Sequence, residues 1–464
     1  MNQQPPRSDH HRGAPAARPE GPSARPMRRR TLAGLTAALP VSAVLGAASQ
    51  AAPPDPHPGR GKGPGRGKGR GRKDPFRLGV ENLMAEELHL LAGASVGLIT
   101  NPTGTDSTLR STIDLLVDAQ DAAGFRLTAL YGPEHGVRGS VPAGGYVEDY
   151  TDEKTGLPVR SLYGKTQKPT PEILEDIDVL VFDIQDIGAR FYTYIWTLYY
   201  AMEAAEENGK RFVVLDRPNP LGRQAEGFVL EDAVSSFVGL KAIPQRHGLT
   251  VGELALYFAE EFLRGDLDLS VVPMSGYDPR TPQTVDSPWA LPSPNIPTRE
   301  TAILYAGTGL LESLNISEGR GTTTPFLWFG APFITEAHAD QIIQDLSVLP
   351  GILLRPMSAT PTTSKHVGEF CGGVQIHLVD EEEIEPVRLG VHLIATLLRR
   401  VEQTDWREGE KCRTAEDMCW IDNLTGTRRT RQMLEGGAEP DAIVDAWKKE
   451  LKDFTRRARA HHLY

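Results

Sequence analysis

Four carboxylates stand out by type and setting. Glu134 lies in Tyr131-Gly-Pro-Glu-His-Gly, Asp183 and Asp186 in Phe182-Asp-Ile-Gln-Asp-Ile-Gly-Ala-Arg, and Glu318 in Asn315-Ile-Ser-Glu-Gly-Arg-Gly. Carboxylates used together can divide the work of general acid and electrostatic or nucleophilic partner. Each has neighbours suited to a polar substrate: His135 and Arg138 beside Glu134, Gln185, Arg190 and Tyr192 beside the aspartates, Arg320 beside Glu318. Asn101, Asp216, Arg217, Asn219, His247 and Asn295 complete the set of candidate binding residues. His135 either orients Glu134 or meets a ligand hydroxyl, or is a turn histidine. Asp183, Asp186, Asp216 and His135 are also the residue types of a metal-dependent hydrolase. Their spacing matches no ligand motif, and no metal is expected.

The elements that must position these groups follow from short apolar runs. Ile177 to Phe182, Val96 to Thr100, Phe125 to Tyr131 and Phe212 to Leu215 each read as a strand buried on both faces. Each ends on polar residues set among Gly and Pro. In an open α/β sheet that carboxyl edge is where ligands bind. Turn-making alone explains Asn101 and Asn219 well, since Asn, Asp, Gly and Pro make turns after strands. It does not call for a Glu or for an acid pair closing a buried strand. Helical patterns cover Leu109–Ala123 and Phe191–Glu207, and a short helix follows Thr170, so strand and helix alternate. The alternation predicts an α/β, Rossmann-like parallel sheet over residues 75–238. Tyr192, Tyr194 and Trp196 offer stacking faces, although their spacing also suits a helix core. Ala143 to Lys168 reads as an excursion bordering the cleft.

Residues 239–464 change texture and predict an α+β C-terminal domain, with the active-site cleft between the two. Thr250 with Glu253 forms a capping box for a helix to Leu263. Ser287 to Thr298 holds four prolines around Trp289 and Asn295 and reads as a rigid loop. Val271–Met274 and Cys371–Val379 read as strands, and Pro386–Val401 and Asp441–Ala460 as helices.

The N-terminal end is different in kind. Arg28-Arg29-Arg30-Thr-Leu precedes an Ala-rich apolar run, so residues 1–52 read as an export signal with an extended basic n-region, resembling a twin-arginine signal. The run is too short and too rich in small residues for a good spanning helix, and no stable membrane insertion is expected. Residues 53–74 are a Gly, Pro, Arg and Lys linker that cannot build a core. The first 73 residues hold 14 of the 50 basic and 3 of the 61 acidic residues, leaving 36 basic against 58 acidic, a net of −22. So acidic a remainder is a poor nucleic-acid partner. Three cysteines without CxxC argue against a disulfide framework, leaving a Cys412–Cys419 bridge open. HExxH, P-loop, GxSxG and complete GxGxxG patterns are missing, which disfavours redox and nucleotide cofactors.

Six motifs in fixed order carry a resemblance: Leu98-Ile-Thr-Asn-Pro-Thr-Gly, Tyr131-Gly-Pro-Glu-His-Gly-Val-Arg-Gly, Phe182 to Tyr194, Leu215-Asp-Arg-Pro-Asn-Pro-Leu-Gly, Pro292-Ser-Pro-Asn-Ile-Pro-Thr and Asn315 to Thr323. From about Leu78 to Tyr464 the chain resembles the exo-β-N-acetylmuramidase family, once catalogued as a domain of unknown function, to which the bacterial NamZ enzymes belong. The resemblance implies a two-domain, cofactor-free enzyme that releases N-acetylmuramic acid from the non-reducing end of peptidoglycan fragments. Glycoside hydrolysis asks for an acid on the leaving oxygen and a partner for the oxocarbenium-like centre. Glu134 suits the acid, with Asp183, Asp186 or Glu318 as partner. A non-catalytic wall-binding protein would not need Glu134 and Glu318 intact. The lactyl carboxylate of the muramic residue calls for a cation, and Arg138, Arg190, Arg217 and Arg320 are the candidates, with Arg190 and Arg320 favoured because each shares a glycine-flexed turn with an acid.

Overall fold

A computed structural model of the chain describes residues 75–139, 148–164, 167–282, 285 and 287–464. The export signal, the basic linker and part of the Ala143–Lys168 excursion lie outside the described residues. Among those described, no helix is long and apolar enough to cross a membrane.

A seven-stranded sheet organises the chain, in the order β3-β4-β2-β1-β5-β6-β9. Its strands are β1 (Ser95–Thr100), β2 (Arg126–Gly132), β3 (Tyr150–Thr151), β4 (Pro158–Ser161), β5 (Val179–Asp183), β6 (Arg211–Leu215) and β9 (Leu269–Val272). All pairs are parallel except β3 with β4. The four apolar runs are its centre, and β5 is buried at every residue. Helices cover both faces, as a parallel sheet requires. Thr112–Ala123 and Tyr194–Glu207 come from the predicted patterns. Val251–Phe262 is capped by Thr250, whose hydroxyl accepts from the Glu253 amide while Glu253 accepts from the Thr250 amide. The last parallel strand, β9, comes from beyond residue 238.

The remainder adds a hairpin-like pair, β7 (Glu226–Val229) with β8 (Pro244–Arg246), and a three-stranded antiparallel sheet. That sheet runs β10 (Trp328–Ala331), β12 (Gly372–Leu378), β11 (Ile352–Pro356). Helices Arg299–Thr308 and Pro386–Arg400 cross where Gly307 and Gly390 meet; a Cβ on Gly307 would sit 1.7 Å from the Pro386 carbonyl. One apolar core runs from Phe182 and Trp196 through Leu304 to Leu393, so the sheet and the C-terminal helices share their packing. The proline-rich loop Ser287–Thr298 carries no regular element before its helix starts at Arg299. Cys412 and Cys419 form a disulfide, and Cys371 is a buried free thiol.

Candidate active site

The loop after β2 presents Glu134. It turns sharply: the Gly136 amide donates to the Pro133 carbonyl at 2.9 Å, and His135 adopts φ +72°, a left-handed conformation unusual for any residue but glycine. His135 is thereby buried while Glu134 stays half-buried. The Tyr163 hydroxyl hydrogen-bonds the Glu134 carboxylate; burial and that negative charge push the Tyr163 phenol up to about 12. Tyr192, Tyr194 and Tyr305 are buried within reach of the same charge, and all three are held well above the usual phenol range, burial being the largest cause.

These rings make a continuous wall. Tyr192 packs edge-on to Tyr194 at 5.1 Å and to Tyr305 at 5.9 Å; Tyr305 meets Phe326 at 4.6 Å, and the Arg320 guanidinium lies 5.0 Å from the Phe326 ring. The Tyr194 hydroxyl donates to the Pro292 carbonyl at 2.6 Å. Three buried polar atoms around this site make no well-formed hydrogen bond within the protein, Asn101 Nδ2, the Tyr192 hydroxyl and Glu318 Oε2, although Asn101 interacts with Tyr194, Tyr192 with Ser293, and Glu318 with Lys365. The Asn101 amide is fixed because its oxygen accepts from the Thr103 amide and hydroxyl.

Glu134 opens into a cavity of about 600 Å³ that Glu312, Glu318, Arg320, Ser364, Lys365 and Arg407 also line. A volume of that size suits a sugar unit with its substituents. Glu318 is held in the wall by the turn at Gly319 (φ +86°), where a Cβ would sit 2.7 Å from the Trp328 carbonyl. Lys365 Nζ lies 3.0 Å from one Glu318 oxygen, and Arg320 Nε (3.3 Å) and the Ser364 hydroxyl (3.1 Å) reach the other. Burial pushes the Glu318 carboxyl up; Lys365, then Arg320, outweigh it and hold the group below the usual carboxylate value. Glu318 is therefore an anion at neutral pH, unsuited to donate a proton. Lys365 also donates to the Leu311 and Ile316 carbonyls at 2.9 and 2.8 Å, and Arg320 to Glu312 at 2.9 Å. Of the five non-glycine residues with positive φ among the described residues, four (His135, Phe326, Ser364, His366) border this cavity or flank its lining residues. Strain concentrated in this way marks a functional site.

The other sequence candidates are placed differently, and each displacement has a physical reason: a charge on a buried strand end must be paired. Asp183 is fully buried, gripped by Arg217 through two bonds of 2.5 and 2.9 Å and by the Thr112 hydroxyl. Asp186 accepts from the Gly188 amide at 2.8 Å and pairs with His247 Nε2 at 3.1 Å; His247 Nδ1 accepts from the Leu249 amide, so His247 does not face a ligand. Asp216 takes the Thr250 and Tyr464 hydroxyls and the Gly252 amide, and burial pushes its carboxyl up to about 6. Gln185 donates to the Asp186 and Pro218 carbonyls and edges a separate cavity of about 100 Å³. Asn219 braces a turn between Leu221 and Leu249. Arg138 pairs with Asp152 at 2.5 and 2.9 Å.

Arg190, favoured above for the lactyl group, is instead fully buried and donates to the Phe228, Ile243 and Leu424 carbonyls. Tyr192 and Tyr194 are buried and meet edge to face, and Trp196 is sealed in the core with its Nε1 on the Arg190 carbonyl. Asn295 is half-buried in the proline-rich loop. The Asp183, Asp186 and Asp216 carboxylates thus serve different protein partners, and among the described residues no group of three or more His, Cys, Asp or Glu could hold a metal ion. Sequence reasoning missed Lys365, Ser364, Glu312, Tyr305 and Arg407, which sit outside any motif. Tyr163 had one signal, its place in the excursion predicted to border the cleft.

The family description "Exo-beta-N-acetylmuramidase NamZ, N-terminal" matches residues 96–300, and its C-terminal counterpart matches residues 303–464. The chain belongs to the NamZ exo-β-N-acetylmuramidase family. Among NamZ relatives, the peptidoglycan beta-N-acetylmuramidase NamZ of Bacillus subtilis (strain 168) is 45% identical over 395 residues, 85% of this chain and 92% of that protein. Two solved DUF1343 family proteins from Bacteroides fragilis NCTC 9343 share the fold. One has a TM-score of 0.75 at 40% identity, the other 0.66 at 27%; each match covers 84% of this chain and 99% of the other.

Proposed function

We propose that the chain is an exo-acting glycoside hydrolase that releases N-acetylmuramic acid from the non-reducing end of peptidoglycan fragments, with Glu134 as the general acid. The observation that carries the assignment of roles is the pairing of two unlike carboxylates on one cavity. Glu134 is half-buried and held by a phenol; Glu318 is walled in and ionised by Lys365 and Arg320. Glu134 delivers its proton to the glycosidic oxygen as the bond to the anomeric carbon breaks. Tyr163 orients that carboxyl group. The fixed charge of Glu318 favours the positive charge developing at the ring.

Glu318 is held in ion pairs by Lys365 and Arg320, which favours the substrate's own 2-acetamido oxygen as the group that attacks the anomeric carbon, a route some glycosidases use. Water then opens the resulting oxazolinium ion, with Glu134 taking back a proton. Peptidoglycan as substrate fits an exported protein, and Arg28 to Arg30 before the Ala-rich run supports export by the twin-arginine route.

The test is product analysis on a defined muramic-terminated disaccharide, with and without chelator. Free N-acetylmuramic acid, released one unit at a time and unaffected by chelator, is the expected result. Internal cleavage, or activity abolished by chelator and restored by a divalent metal, would overturn the reading.

A further inference from the structure

We propose that Arg407 is the residue that recognises the lactyl carboxylate of the muramic unit and so separates it from the glucosaminic one. This rests on the reading of Glu134's cavity as the muramic site. The two sugars differ by a lactyl ether ending in a carboxylate, so selectivity requires a cation that the protein has not already neutralised. The four arginines singled out by motif fail that requirement: Arg138 is spent on Asp152, Arg190 on three carbonyls, Arg217 on Asp183, Arg320 on Glu312 and Glu318. Lys365, also on the cavity, is spent on two carbonyls and Glu318.

Arg407 lines the same cavity as Glu134, and its side chain is 47% exposed. The nearest carboxylate oxygen among the described residues belongs to Glu408, 3.9 Å away and beyond hydrogen-bond reach. That oxygen already accepts from the Trp420 amide at 3.1 Å. The lining sets Glu134, Glu312 and Glu318 beside Arg320, Lys365 and Arg407, and of these three cations Arg407 alone has no carboxylate within hydrogen-bond reach among the described residues.

Arg407 is also pre-set. Its guanidinium lies 5.2 Å from the Trp420 ring, and its amide donates to the Ser313 carbonyl at 2.8 Å. One residue back, Trp406 is anchored by its Nε1 on Glu435, and Asp405 accepts from the Asn315 amide. The Cys412–Cys419 disulfide closes the loop just beyond. A guanidinium held over a ring keeps its donors available for a carboxylate, which it can bind through two parallel hydrogen bonds.

The experiment compares the nitrophenyl glycoside of N-acetylmuramic acid with its lactyl methyl ester and with the N-acetylglucosamine glycoside, in the wild type, Arg407→Met and Arg407→Lys. Binding of N-acetylmuramic acid and its methyl ester to Glu134→Gln, with and without Arg407→Met, is measured by calorimetry. In the wild type the acid should be preferred, and Arg407→Met should shrink that preference about ten- to a hundredfold in kcat/KM and in affinity, the worth of a charge-assisted bond. Arg407→Lys should keep part of it. An undiminished preference in Arg407→Met, or an equal loss on acid and ester, overturns the assignment; so does a wild type that ignores the carboxylate. A wild type inactive on every muramic glycoside would instead defeat the reading of the reaction, while the binding comparison still decides Arg407.

Discussion

Two polar regions lie at the carboxyl side of the large sheet, and they use carboxylates in opposite ways. At the ends of β5 and β6, Asp183, Asp186 and Asp216 are sealed in and matched to Arg217, His247 and the start of the Val251–Phe262 helix. Each makes tertiary contacts to residues 34 or more positions away, which fixes how strands and helices meet. Two strands away from β5, after β2, Glu134 is left half-buried on an open cavity that Glu318 and its cations also line. Buried and charged residues are thus not by themselves a site. What distinguishes a site is a titratable group left in contact with open volume.

The comparison predicts that substitutions in the two regions fail differently. Glu134→Gln should lower kcat on a natural disaccharide about 10²–10⁴-fold, the usual worth of general acid catalysis, while leaving the melting temperature close to wild type. Asp183→Ala should do the reverse. It strands Arg217 in the interior, and breaking a buried pair in this way costs about 3–5 kcal/mol of stability. Chemical denaturation joined to turnover per folded molecule separates the two; a catalytic loss in Asp183→Ala without a stability loss would break the division.

Lys365→Met tests whether the Glu318 charge is set by its neighbours. In the wild type the folded carboxyl sits below its unfolded value, so its contribution is present above roughly pH 4.3 and is lost as pH falls through the folded value. Without Lys365 burial dominates and the folded value rises. The contribution then reverses sign: stability falls as pH rises through the acid range. The expected loss at neutral pH is about 1.5–3 kcal/mol, as for a hydrogen bond to a charged group. Unfolding curves between pH 4 and pH 7 check this, and parallel wild-type and variant profiles would refute it. The smallest effect is expected for Tyr163→Phe, which removes one hydrogen bond to Glu134, worth about 0.5–1.5 kcal/mol and so a few- to about tenfold in kcat. An unchanged kcat would remove Tyr163 from the positioning of the acid.

Much of the fold was legible because apolar runs and helical spacing are local properties. β1, β2, β5 and β6, the helix after Thr250 and the proline-rich loop all lie within a few residues of where pattern and capping place them. The site was legible only in part. Glu134 and Glu318 stood out because Glu is an unusual choice for a turn. The polar residues at the strand ends do not all gather in one cleft: Asp183, Asp186 and Asp216 turn to Arg217, His247 and Thr250. Whether Asp183 faces a ligand or Arg217 is decided by a partner on the next strand, which periodicity does not encode. The converse holds for Lys365 and Arg407: each is a single cation in an ordinary stretch, brought to the cavity by tertiary packing alone. Ser364 and His366, left-handed on either side of Lys365, show how sharply the backbone bends to deliver it.

The most direct measurement is the leaving-group dependence of Glu134→Gln. On a muramic glycoside with a sugar leaving group, protonation is essential, and the variant should retain about 1% of wild-type kcat or less. On the nitrophenyl glycoside, whose leaving group departs with little protonation, it should lose far less, so the ratio of the two rates should swing toward nitrophenol. An equal loss on both substrates, or no loss on either, would contradict Glu134 as the acid.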